Sequence, residues 1–100
     1  MTFTEEQIEI IENLAGMNYT VKQIAIYLDV PFRVLQDEYN NTDSEFRYRY
    51  DRGILLAQAQ IDNQLIISAK GGNMTAMQQF EKIRTKRHFE NTRDQIINGD

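Results

Sequence analysis

Arg33 and Gln36 stand three residues apart, a spacing that puts two side chains on one face of a helix. Arginine is a bidentate donor for guanine and glutamine a bidentate partner for adenine, so a helix presenting both could read base edges in a major groove. Lys22, Phe32 and Asn40 join them as candidate DNA-contact residues. Asp37 and Glu38 oppose that role, because carboxylates facing phosphates are repelled. Such a helix alone should bind DNA weakly and need many copies, or help from a basic segment. The plainer account is that Arg33 and Gln36 solvate an outer helix face.

The segment Phe46-Arg47-Tyr48-Arg49-Tyr50-Asp51-Arg52 concentrates three arginines and two tyrosines in the opening turns of an expected long helix, where cations oppose the helix dipole. Two accounts fit. Arg47, Arg49 and Arg52 meet phosphate or a neighbouring subunit's acidic half; or they pair with local acids while Phe46, Tyr50 and Ile54 form core at i, i+4 spacing. Lys82, Arg84, Lys86 and Arg87 cluster at an expected helix C-terminus, where cations are favoured without any ligand. Glu5, Glu6, Glu9 and Glu12 have no His, Cys or clustered Asp beside them and read as a solvated face rather than a metal or acid/base site. His88 has no triad or metal partner nearby in sequence, and Lys70-Gly71-Gly72-Asn73 lacks the GxxxxGK[ST] spacing of a phosphate loop. With no Cys, no Trp and a single His, the chain offers no convincing set for bond-making chemistry. No catalytic residue, metal, cofactor or small-molecule substrate is expected.

The elements that must position these side chains are legible as helices. Thr4 with Gln7, and Thr20 with Gln23, are capping-box patterns that open helices ending at Gly16 and Leu28. Pro31 closes the second and suits the first turn of a third, from Phe32 to about Tyr39. Asn40-Asn41-Thr42-Asp43 is a run of turn formers, and Asp43 or Ser44 can cap the next helix. From Glu45 to Lys70 only Gly53 interrupts a helical stretch of about 39 Å at 1.5 Å per residue. Its triplets Ile54-Leu55-Leu56 and Leu65-Ile66-Ile67 recur at three helical turns and cover more than half the circumference. That breadth predicts burial on two sides, with Leu55, Leu56, Ile66 and Ile67 as candidates for an interface with a second copy. After Gly71-Gly72, capped by Asn73 or Thr75, a further helix carries Ala76, Met77, Phe80 and Ile83 as one inward stripe. Beyond Arg87 the pattern loosens into a polar tail whose only strong apolar signal is Ile96-Ile97, a candidate partner contact.

The expected fold is therefore all-α: a helix-turn-helix domain over 1–42, a long-helix αα-hairpin for oligomerisation over 43–87, and a tail over 88–100. Within 20–39 a short helix, a tight turn at Asp29-Val30 and a second helix match the helix-turn-helix layout, although Asp29 stands where Gly is common and Glu38 where a core residue is common.

With 41% apolar and 26% charged residues, the composition is that of an ordinary folded domain. The net charge of −4 is unevenly spread: residues 1–45 hold nine acids and two bases, residues 46–100 six acids and nine bases. The opening Met-Thr-Phe-Thr-Glu-Glu has no signal-peptide layout and no apolar run has membrane length, so an intracellular, soluble protein without a membrane partner is expected.

Three segments in order resemble the phage terminase small subunit, a DNA-packaging protein, and related prophage helix-turn-helix proteins. They are the helix-turn-helix with Val30-Pro31 at its turn, the F-R-Y-R-Y-D-R-G stretch at 46–53, and Ala69-Lys70-Gly71-Gly72-Asn73-Met74-Thr75-Ala76-Met77 leading to Phe80. The A-K-x-G-N-x-T-A form of the last is the most specific, and together they span roughly residues 20 to 90. Phe89 lies where the family tends to carry Trp. The resemblance implies a non-enzymatic homo-oligomer in the cytoplasm of a bacterial host cell, binding double-stranded viral DNA and handing it to a large terminase subunit. Two rivals remain open: a helix-turn-helix transcription regulator that binds DNA as a dimer, and a protein-interaction module that no longer binds DNA.

Overall fold

The computed structural model describes residues 1–98, with side chains through residue 92. Five helices occupy them: α1 (Glu5–Gly16), α2 (Val21–Leu28), α3 (Phe32–Asn40), α4 (Glu45–Lys70) and α5 (Met74–Asn98). No strand occurs among the described residues, and the protein is all-α.

Local chemistry sets the helix ends. The Gln7 amide donates to Thr4 Oγ1 at 3.1 Å while the Thr4 amide donates to Gln7 Oε1 at 2.9 Å, and Thr20 with Gln23 repeats the exchange at 3.2 and 2.9 Å. Three helices end on a left-handed residue, Asn18 (φ 67°), Asp29 (φ 57°) and Gly72 (φ 93°). The amide after each reaches back to a carbonyl of the last turn: Tyr19 to Leu14 at 3.0 Å, Val30 to Ala25 at 2.9 Å and Asn73 to Ser68 at 3.1 Å. Asp29 thus takes the conformation for which Gly is usually chosen, and Asp is among the few other residues that tolerate it.

Two compact units divide the chain, Met1–Ala59 and Gln60–Asp100, with α4 running through the division. The first is built around Ile11, Ile24, Ala25, Leu35 and Phe46, with Phe3, Leu14, Val21, Leu28, Tyr39 and Tyr50 packed against them. Burying each of the larger side chains contributes about 1.5–3 kcal/mol. The boundary expected at 42/43 falls inside this unit. Phe46 is fully buried, with the Phe3 and Tyr50 rings 6.2 and 6.0 Å away, so the turn formers at 40–43 bend the chain over one continuous core. Gly16 and Gly53 let α1 and α4 cross backbone to backbone: a Cβ on Gly16 would lie 2.9 Å from the Gly53 carbonyl oxygen, and one on Gly53 would lie 2.7 Å from Glu12 Cα.

In the second unit, half-buried Asp62, Leu65, Ile66 and Ala69 form one stripe on α4, and Ala76, Phe80 and Ile83 form another on α5. Asn73 caps α5 by accepting from the Ala76 amide at 3.0 Å, and Arg87 pairs with Asp62. Met77, expected on the inward stripe, is exposed, because it sits about 100° around the helix from Ala76. α5 also runs past Arg87 to Asn98, since neither Gly nor Pro interrupts it. Lys82, Arg84, Lys86 and Arg87 therefore lie mid-helix, where the dipole gives them no support. Arg84 pairs instead with Glu81, Lys86 with Glu90 and Arg87 with Asp62. His88 and Phe89 are exposed on this helix, and the Ile96 and Ile97 side chains lie outside the described residues. No helix among the described residues is long and apolar enough to cross a membrane.

Candidate nucleic-acid interface

α2 and α3 are joined by Asp29-Val30-Pro31, and Leu35 of α3 meets Ile24 and Ala25 of α2 in the core. Fixing Leu35 inward turns Phe32, Arg33, Val34, Asp37 and Asn40 to solvent. Gln36 is half-buried, and its Nε2 donates to Asn40 Oδ1 at 3.2 Å, so two of the candidate DNA-contact residues already hold each other on one face. Arg33 and, on α2, Lys22 are exposed and have no ion pair among the described residues. Pro31 gives α3 no side-chain cap, which leaves its first amides open to an acceptor from outside.

The two acids of α3 differ. Glu38 is half-buried with its carboxylate 3.4 Å from the Met1 ammonium, whereas Asp37 is exposed beside Arg33 and Gln36. Tyr39 takes the packing role that Glu38 leaves vacant, against the core and edge-on to Tyr50 at 5.2 Å. Compared with known proteins, the chain matches no family model, and no curated protein or solved structure is significantly similar to it.

The three arginines of α4 are held by their own chain. Arg47 Nε lies 3.1 Å from Asp51 Oδ2, its Nη1 donates to the Tyr39 carbonyl at 3.0 Å, and its guanidinium sits 4.4 Å over the Tyr39 ring. Arg49 meets Glu45 at 3.2 Å and Glu12 at 4.0 Å. Arg52 pairs with Glu12, whose hydrogen bond and charge raise the arginine's already high pKa. The close crossing at Gly53 brings Glu12 within reach of Arg49 and Arg52, and i, i+4 spacing supplies Asp51 and Glu45. Arg47, Arg49 and Arg52 are thus each engaged by an acid of their own chain. Burial, then the charges of Tyr39 and Asp51, raise the Tyr50 pKa above the usual tyrosine value.

Of the apolar residues expected at an interface between copies, Leu55, Leu56 and Ile67 are exposed. Ile66 is half-buried on the stripe with Leu65 and Ala69. The structure adds Ile61, which lies between the two triplets, and on α2 the exposed Ile26 and Tyr27. Ile26 and Tyr27 sit between inward Ala25 and Leu28, a phase that helical periodicity already assigns to the outside. Among the described residues no group of three or more His, Cys, Asp or Glu is placed to hold a metal ion.

Proposed function

We propose that this chain is a non-enzymatic DNA-binding adaptor in which α2 and α3 act as a helix-turn-helix and exposed apolar residues of α4 associate with further copies. The observation that carries the reading is the exposed face of α3, where Arg33, which makes no ion pair among the described residues, stands beside the Gln36–Asn40 pair. In this reading α3 enters the major groove, Arg33 and Gln36 contact base edges, and Lys22 meets phosphate. Phe32 and Asn40 flank those contacts.

The charge balance supports many weak copies rather than one strong site. Asp37 on the reading face and the acidic surface of α1 reduce the affinity of a single copy, and several copies on one duplex would restore it through effective concentration. Leu55, Leu56 and Ile67 supply apolar surface for such assembly. The resemblance to phage terminase small subunits gives that assembly a purpose, recognition of viral DNA for a large packaging subunit in the bacterial cytoplasm. α4 and α5, joined by Gly71-Gly72-Asn73, are the oligomerisation hairpin in this account.

Binding of random and selected duplexes measured by fluorescence anisotropy over a salt series tests the reading. Affinity that falls steeply with salt and differs between the duplexes supports it. A chain that binds no duplex at low salt is instead a protein-interaction module, a role that exposed Ile26 and Tyr27 would suit. Light scattering separates a dimeric regulator from a larger assembly.

A further inference from the structure

The C-terminal end of α3 is unlike the ends of α1, α2 and α4. No left-handed residue closes it; Asn41 is extended at φ −87° and ψ 104°. The last carbonyls of a helix lack regular intrahelical partners, and here two of them, Glu38, which also accepts from the Asn41 amide at 3.3 Å, and Tyr39, take donors from the beginning of the next helix. Ser44 Oγ donates to the Glu38 carbonyl at 2.5 Å, and Arg47 Nη1 donates to the Tyr39 carbonyl at 3.0 Å. Ser44 is buried, and the same hydroxyl accepts from the Arg47 amide at 3.0 Å, so it caps the start of α4 while it caps the end of α3. Arg47 is fixed from three directions, by the Tyr39 carbonyl, the Tyr39 ring and Asp51. Its charge lies at a helix C-terminus, where a cation is stabilising.

We infer that Ser44 and Arg47 form a cap, supplied by α4, that fixes the last turn of α3 and so positions Gln36 and Asn40 on the reading face. Arg47 is a positioning residue in this scheme and does not touch DNA. The inference rests on the DNA-binding reading for its consequence, but the cap itself can be measured without DNA. The guanidinium geometry matters: a lysine at 47 offers a point charge and no planar fork to span the Tyr39 carbonyl and Asp51 together.

The experiment uses the full chain and three variants, Arg47→Met, Arg47→Lys and Ser44→Ala. Amide hydrogen exchange is read at Tyr39, Asn40 and Asn41, and core amides of α2 such as Ala25 report global stability. The expected result is exchange faster by about tenfold at the three end-of-helix amides in Arg47→Met and Ser44→Ala, with a smaller change in Arg47→Lys and little change at Ala25. Unchanged exchange at the end of α3, or an equal rise at Ala25, overturns the cap. The second measurement is the slope of log binding constant against log salt for a selected duplex. A positioning role leaves the slope of Arg47→Met unchanged while its preference for the selected duplex falls; a slope shallower by about 0.9 makes Arg47 a phosphate contact and overturns the assignment. If the unmodified chain binds no duplex, the functional reading fails, and the exchange data still decide whether the cap exists.

Discussion

Gly53 carries no side chain where α4 passes over the backbone of Glu12 in α1, and Gly16 on α1 faces Gly53 in return. In an exposed helix interior, Gly→Ala is stabilising by about 1 kcal/mol. At 53 the sign should reverse, since a methyl group there meets main chain that cannot swing aside. Gly53→Ala is expected to cost about 1–3 kcal/mol net, read as a lower urea midpoint with an unchanged m-value. A variant as stable as the parent would mean that the two helices do not cross so closely.

Asp29 holds the left-handed position between α2 and α3. Asp29→Val places a β-branched residue there and should destabilise by about 1–2 kcal/mol, whereas Asp29→Gly should leave stability within about 1 kcal/mol of the parent. Thermal denaturation of the two variants checks the order, and equal losses would contradict it.

Tyr50 gives a pH signature. Its folded-state pKa is raised, chiefly by burial, so the folded chain keeps the phenolic proton at pH values where the unfolded chain has released it. Stability from this group is complete below the ordinary tyrosine pKa of about 10 and is lost as pH rises through the raised value. Urea unfolding across the alkaline range should show that decline, and Tyr50→Phe should flatten it. An unaltered decline in the variant would assign it to other tyrosines.

Much of the helical framework was legible because each signal is local. The two Thr/Gln capping boxes, Pro31 and Gly71-Gly72 act through their own neighbours, and the starts of α1, α2 and α3 and the end of α4 fall where those residues predict. What the sequence concealed depends on contacts between distant residues. Arg49 and Arg52 looked available because nothing in their own segment shows that Glu12, forty residues before Arg52, lies against them. Another contact is hidden for a related reason: turn chemistry at 40–43 points to a boundary at 42/43, while Phe46 packs back onto Phe3 and the core. The length of α5 is hidden because apolar periodicity fades after Ile83, although no residue before Gly99 stops a helix. On the exposed face of α3, spacing and side-chain chemistry point to Arg33 and Gln36, whereas the exposed Val34 beside them carries no such signal.

Assembly should separate the outer apolar residues from the inner one. Leu55→Glu, Leu56→Glu and Ile67→Glu change exposed positions and should keep the helical circular dichroism of the parent, with at least one giving a monomer by light scattering. Ile66→Glu, at a half-buried position, should lower stability by a few kcal/mol whether or not it alters assembly. A parent chain that is monomeric at about tens of micromolar would remove the avidity on which weak reading heads depend.

The most direct test of the central claim compares the parent and Arg33→Ala on two duplexes, one selected from a random pool by the protein and one of scrambled sequence. If α3 reads base edges, Arg33→Ala loses about 1–3 kcal/mol on the selected duplex and much less on the scrambled one, while Asp37→Asn strengthens binding to both at low salt. Equal losses on the two duplexes would reduce Arg33 to a phosphate contact, and no binding by the parent at low salt would contradict the account of this surface as a DNA-reading face.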